Sequence, residues 1–218
     1  MAPDEAGLAT PERILEHAER LFIERGFAAT SLRALTAGAE VNLAAVHYHF
    51  GSKEGLFQAV IHRRMAPVNQ ERAKRLDELE ARVSAATLSV EEILDAFLAP
   101  VFSEDLSHEL PSVARLMGRL HGEPLSLVLP ILRREFGALG RRFLNALARA
   151  LPEVPLEELT WRFHLTIGAM IVAVTFERPV IVLPEAPPPD EPLQKLVERL
   201  VRYAAAGLRD AATKETRS

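Results

Sequence analysis

The chain has no cysteine in its 218 residues. That excludes disulfides, thiolate nucleophiles and cysteine-ligated zinc together. Positive charge is in deficit, since 26 Lys and Arg face 30 Asp and Glu and leave a net −4. A protein that coats polyanions would be basic throughout, so any contact with nucleic acid has to come from a local patch. A membrane-length apolar run is also missing. The longest uncharged apolar stretch, residues 165–176, is about half of what a bilayer-spanning helix needs. The first residues, MAPDEAGLATPERILEHAERL, carry acids where a secretory signal carries basic residues ahead of an apolar segment, which predicts a soluble, cytoplasmic protein. What remains is 48% hydrophobic and 26% charged, enough apolar matter for a core and too much for a disordered chain.

Catalytic signatures are absent as well. There is no G-x-x-x-x-G-K-[ST], no G-x-G-x-x-G and no G-x-S-x-G, and Gly51-Ser52-Lys53-Glu54-Gly55 has its serine one place too early for the last of these. His47 and His49 lie two apart, so on a helix they point to different faces and cannot share a metal. The remaining histidines, at 17, 62, 108, 121 and 164, have no partner at ligand spacing. No catalytic residue, metal ligand or cofactor is assigned, and an enzyme is disfavoured.

Helix signals dominate what is present, and they predict an all-α fold. Thr10, Pro11 and Glu12 supply an N-cap, a first-turn proline and an early acid, and Ile14, Ala18, Leu21 and Phe22 recur at helical spacing up to Gly26. A short helix opens at Thr30-Ser31 with Leu32 and Leu35 inward. After a break at residues 38–41, Asn42 caps a third helix through Tyr48. Ser52 caps a longer one carrying Leu56, Phe57, Val60 and Ile61, which Pro67 should bend or end. Ser89 and Glu92 have capping-box spacing. Helices are then expected near 90–99, 109–120, 126–151, 155–177 and 190–210, with an ordered proline-rich connection around Val180–Leu183.

The informative stretch is 27–53. Two short helices across a tight break form a helix-turn-helix, with Leu32, Leu35, Val41, Val46 and Phe50 inside and Leu43, Ala44, His47 and Tyr48 outside. From Phe27 to Arg64 there are four basic residues (Arg33, Lys53, Arg63, Arg64) and two acidic ones (Glu40, Glu54), a local +2 in a chain of −4.

The run GFAATSLRALTAGAEVNLAAVHYHFGSKEGLF closely resembles the DNA-binding segment of the TetR family of bacterial transcriptional regulators. Its most specific part is Tyr48-His49-Phe50-Gly51-Ser52-Lys53, with Gly26-Phe27 and Thr30 upstream. Asn42-Leu43-Ala44-Ala45-Val46 is similar to a subgroup that includes fatty-acid-responsive repressors. Two positions depart from the family pattern. Glu40 stands where glycine is usual, so either Gly38 supplies the flexibility or Glu40 adopts a left-handed conformation. His47 stands where tyrosine is common. The resemblance implies a DNA-binding domain at 1–53, a linking helix from about 53, and a ligand-binding and dimerisation domain at 54–218. It also implies a homodimeric repressor on a palindromic operator. A constitutive DNA binder or adaptor of the same fold is the alternative.

On that reading Thr30, Ser31 and Arg33 meet phosphates at the start of the first motif helix, and Lys53 adds a second phosphate clamp. Tyr48 and His49 brace the backbone. Asn42, Leu43, Ala44 and His47 face the major groove, with thymine-methyl contact and DNA shape carrying much of the specificity. The effector pocket is expected among Phe97, Phe102, Leu120, Phe136, Phe143, Phe163, Ile167, Met117 and Met170, with a ring from Phe176. Arg115, Arg119 and His121 either meet an acidic head group or are solvated. Such a lining suits an elongated apolar or amphipathic effector, an acyl compound by the subgroup resemblance. The two C-terminal helices, including Leu196 and Leu200, are expected to pair with their symmetry mates as a four-helix bundle.

Overall fold

The computed structural model describes residues 10–82, 88–103, 116, 118–120, 122–175 and 192–210. Among these every regular element is helical: α1 (Thr10–Ala29), α2 (Leu32–Gly38), α3 (Leu43–Phe50), α4 (Lys53–Arg82), α5 (Val90–Leu98), a 3₁₀ turn (Ala99–Phe102), α6 (Leu125–Ala150), α7 (Leu156–Thr175) and α8 (Leu193–Arg209). The all-α expectation therefore holds. The helix expected at 109–120 is described only at 116 and 118–120, and the 180–183 connection lies outside the described residues.

The helix starts are set by the side chains the sequence placed there. Ser31 Oγ accepts from the Ala34 amide at 3.1 Å, Asn42 Oδ1 from Ala45 at 2.8 Å, and Ser52 Oγ from Gly55 at 3.1 Å. Each satisfies one of the amides that a first helical turn leaves without an intrahelical partner. Ser89 is the N-cap of α5, but its hydroxyl donates to Glu91 at 3.1 Å and makes no cap bond, so the expected capping box is not formed. Gly26 has φ +79°, which breaks helical geometry inside α1 without the strain a side chain would bring. Pro67 does not end α4, which continues to Arg82.

The chain forms two compact units. The first comprises Met1–Pro67 and Ser112–Glu135, the second Val68–Pro111 and Phe136–Ser218. The boundary in α4 falls at the proline, which has no N–H to donate to the helical ladder. In the first unit Ile14, Ala18 and Phe22 of α1, Leu35 of α2, Val46 of α3 and Leu56 and Phe57 of α4 are all buried. Phe22 and Phe57 meet edge to face at 4.9 Å, and Phe27 lies 5.1 Å from Phe57.

In the second unit α8 packs against α5, the 3₁₀ turn and α7. Its apolar stripe, Val197, Leu200, Val201, Ala204, Ala205 and Leu208, is buried by these neighbours. That corrects the expectation that this stripe waits for a second chain, because α5 offers a matching apolar face of Ile93, Leu94, Phe97 and Leu98. Arg162 Nη1 donates to the carbonyls of Leu208 and Asp210 at 3.0 and 2.5 Å and so closes the C-terminal end of α8.

Candidate nucleic-acid interface

The helix-turn-helix is held from behind by Leu35, Ala39 and Val46, which are 1, 5 and 0% exposed. The turn between its helices contains the departure at Glu40, and the structure resolves which compensation is used. Glu40 takes φ +52° itself, while Gly38 stays helical. Gly38 is needed for a different reason: a Cβ there would fall 1.9 Å from the His17 ring. Arg13 Nη2 donates to the Ala39 carbonyl at 2.7 Å and steadies the turn from α1.

With the inner face so filled, Ser31, Arg33, Asn42, Leu43, Ala44, His47, Tyr48 and His49 are all exposed, Tyr48 at 85% of its surface. These are the residues the sequence assigned to phosphate and groove contact, and each is open to solvent on α2, on α3 or at the N-cap of one of them. Asn42 spends its Oδ1 on the cap and keeps its amide N–H groups available. Lys53 is half-buried, with Nζ 4.2 Å above the Phe27 ring, a cation–π contact that aims the ammonium.

Thr30 is the exception. It is 1% exposed, and its hydroxyl donates to the Gly26 carbonyl at 2.7 Å and lies 3.3 Å from that of Leu21. The phosphate contact expected of this hydroxyl is therefore not available. Thr30 instead ties the entry of α2 to the end of α1.

Two residues that sequence reasoning did not assign to the motif hold it in place from within the first unit. Arg119 donates through Nε and Nη2 to the carbonyls of Ile23 and Glu24, at 2.9 and 2.8 Å. Glu123 Oε1 accepts from the Phe27 amide at 2.6 Å. The non-helical Gly26 leaves carbonyls before it and an amide after it without helical partners, and this pair supplies both kinds. Arg119 is thus engaged on α1 and is not a head-group ligand. The signal was invisible locally because 96 residues separate Glu123 from Phe27. Glu19 and Arg64, with Nε to Oε1 at 2.7 Å and both side chains largely buried, join α1 to α4 in the same unit.

The residues expected around an effector are distributed as follows. Phe97, Phe143 and Phe163 come together in the second unit, with Phe97 centred 5.1 Å from Phe143 and 4.9 Å from Phe163. Phe102 is buried there, and Phe136, Ile167 and Met170 are half-buried. Leu120 belongs to the first unit. Arg115, Met117, His121 and Phe176 lie outside the described residues. An open groove of about 1190 Å³ between α4, α5 and α8 has none of these phenylalanines in its wall. It is lined instead by charged groups such as Glu71, Arg75, Glu78, Arg82, Glu91 and Arg202. Among the described residues no group of three or more acidic or histidine side chains could hold a metal, and no helix is long and apolar enough to cross a membrane.

Two short capped helices packed on each other through Leu35 and Val46, with their other faces exposed, have the form of a helix-turn-helix DNA-binding motif. Comparison with known proteins makes the class specific. The family model described as bacterial regulatory proteins, tetR family, matches residues 14–60, and the one described as tetracyclin repressor-like, C-terminal domain, matches residues 95–207. The chain belongs to the TetR family of transcriptional regulators. A probable HTH-type transcriptional regulator YttP of Bacillus subtilis (strain 168) is 37% identical over 54 residues, a quarter of this chain (25%) and 26% of that protein. Among solved structures, the fatty acid degradation regulator FadR from Bacillus halodurans superposes with a TM-score of 0.64 at 16% identity, covering 93% of this chain and 97% of that one. AmtR of Mycobacterium smegmatis gives 0.60 at 18% identity, covering 97% and 91%. PfmR from Thermus thermophilus gives 0.53 at 21%, covering 90% and 97%. These likenesses are likenesses of fold.

Proposed function

We propose that the protein is a cytoplasmic homodimeric repressor that binds a palindromic operator and is released from it by a small apolar or amphipathic effector, with no enzymatic activity of its own. The observation that carries the DNA half is the exposure of Ser31, Arg33, Asn42, Leu43, Ala44, His47, Tyr48 and His49 on the two helices of the motif. Hydroxyl, guanidinium and capped helix starts suit phosphate oxygens, while the short side chains of Leu43 and Ala44 let α3 approach thymine methyls closely. The dimer half is supported by an uncovered apolar row on α7. Trp161, Leu165 and Val172 are 64, 71 and 57% exposed at i, i+4 and i+11, and Tyr203 of α8 is 72% exposed. Monomeric soluble proteins seldom leave such a row uncovered. A C₂ pair of these faces would give one particle two recognition helices, one for each half of an inverted repeat.

The effector half rests on the tetracyclin repressor-like C-terminal match and on the cluster of large apolar side chains in the second unit. An acyl effector agrees with the fatty acid degradation regulator among the similar folds. The test is selection from random duplexes followed by anisotropy titration over a range of salt. An inverted-repeat site, bound with a steep salt dependence, is the expected outcome. Lys53→Ala should weaken matched and mismatched sites equally and flatten the salt slope by about one unit. Absence of any selected duplex would refute the reading.

A further inference from the structure

Arg72, in the second half of α4, is the only charged side chain of the second unit among the described residues that is fully buried, at 2% exposure. Among those residues no carboxylate meets it. Nε donates to the Phe97 carbonyl at 2.7 Å, Nη1 to Asn69 Oδ1 at 3.2 Å, and Nη2 points at the thioether sulfur of Met170 at 3.4 Å. The guanidinium carbon sits 4.2 Å over the Phe97 ring. Burying an unpaired cation carries a large desolvation cost. The partial negative charge at the end of α5, where the Phe97 carbonyl lies, and the aromatic face offset part of that cost. Neither supplies a full negative charge. Burial lowers the group to about 9, so it stays cationic at neutral pH. Of its three acceptors the weakest is the sulfur, and it belongs to the most pliable side chain, a half-buried methionine.

We propose that Arg72 is the anchor for the carboxylate of an apolar-tailed monocarboxylic acid, whose oxygens displace the Met170 thioether while the tail lies along the Phe97, Phe143 and Phe163 cluster. This deepens the proposed effector reading and rests on it for the biological role. The chemistry selects a free acid. A planar carboxylate matches the guanidinium fork, and its single negative charge cancels the single buried positive one. A neutral alcohol leaves the cation unpaired. An acyl thioester has no anion at its acyl end and brings several phosphate charges that this interior does not balance.

The experiment is calorimetric titration of the full-length protein, without DNA, with dodecanoate, 1-dodecanol and dodecanoyl coenzyme A, each below its aggregation limit. Dodecanoate should bind at least tenfold more tightly than the other two. Arg72→Met should lose that advantage and bind dodecanoate and dodecanol alike. Met170→Leu keeps the cation and removes only the sulfur, so it should bind dodecanoate as tightly as the unmodified protein or more tightly. It serves as the second variant if Arg72→Met fails to fold. Equal binding of acid and alcohol by the unmodified protein, tightest binding by the thioester, or a tenfold loss in Met170→Leu would each overturn the assignment. Operator release is read separately. Tight, Arg72-dependent binding of dodecanoate with no release would sink the effector role and leave the anchor standing, whereas release by dodecanol alone would do the reverse.

Discussion

His47 Nδ1 lies 2.9 Å from the carbonyl oxygen of Gly51. A carbonyl can only accept, so Nδ1 carries the proton, and in the neutral imidazole Nε2 is left as an exposed acceptor. That changes what the residue can read. An acceptor on the groove face suits the amino groups of adenine or cytosine in the major groove and repels the O6 and N7 of guanine. The expected outcome is a preference for an amino-bearing base at one position of each half-site. His47→Ala should lose that preference, worth about 1 kcal/mol for one hydrogen bond, and leave the other positions unchanged. Anisotropy on a set of singly substituted duplexes measures it. An unchanged profile in His47→Ala would assign the ring to the phosphate backbone or to no contact.

Glu40 offers a direct test of backbone strain. A non-glycine residue in the left-handed region costs roughly 1–2 kcal/mol, and glycine returns part of that through its larger unfolded-state entropy. Its one ion pair, to Arg13 at 3.8 Å with the Glu40 side chain 86% exposed, contributes little. Glu40→Gly should therefore raise unfolding stability by about 0.5–1 kcal/mol in urea denaturation. A loss of stability would mean that the carboxylate does more than the turn geometry shows.

Much of the head was legible because its signals are local. Ser31, Asn42 and Ser52 cap helices three residues away, and the Leu35 and Val46 spacing encodes the inner face. The parts that were missed depend on backbone geometry or on distant chain. Thr30 looked like a phosphate ligand because residue spacing does not show that the break at Gly26 leaves the carbonyls of Gly26 and Leu21, four and nine residues back, beside its hydroxyl. The α8 stripe was read correctly as apolar, but periodicity does not reveal what covers it, and α5 does so within the chain. Arg72 sits in the charged run Glu71-Arg72-Ala73-Lys74-Arg75, where composition suggests a solvated helix; only packing against α5 and α7 shows it to be buried.

Acid should act on the second unit through Glu91. Hydrogen bonds from the Arg209 guanidinium, the backbone and the Ser89 hydroxyl hold its carboxyl down from 4.5 to about 2, against the opposing effect of burial. A carboxylate whose folded value is depressed contributes stability that is complete above the unfolded value and is lost as pH falls through the folded one. The window is thus from about 4.5 down to about 2. Both partners are more than 40% exposed, so screening keeps the contribution modest. Glu91→Gln should lower the melting temperature slightly at pH 7 and flatten its fall across that window, as followed by circular dichroism. An unchanged acid slope would show that other carboxylates govern the transition.

The two candidate dimer faces make opposite demands on substitution. Leu200 is 6% exposed against α5, so an aspartate there buries an unpaired charge inside one chain. Leu200→Asp should destabilise the monomer fold by about 3 kcal/mol or more, on the order of a large core deletion. Leu165 is 71% exposed and stands in the uncovered row with Trp161 and Val172, so Leu165→Asp costs the isolated chain almost nothing. If that row is the C₂ interface, two aspartates approach each other across the symmetry axis and lose apolar burial together. Leu165→Asp should then sediment as a monomer at micromolar concentration, keep its helical spectrum and melting behaviour apart from the stability that dimerisation adds, and lose operator affinity, because two half-sites are no longer held by one particle. A Leu165→Asp protein that remains dimeric would place the interface elsewhere on the chain.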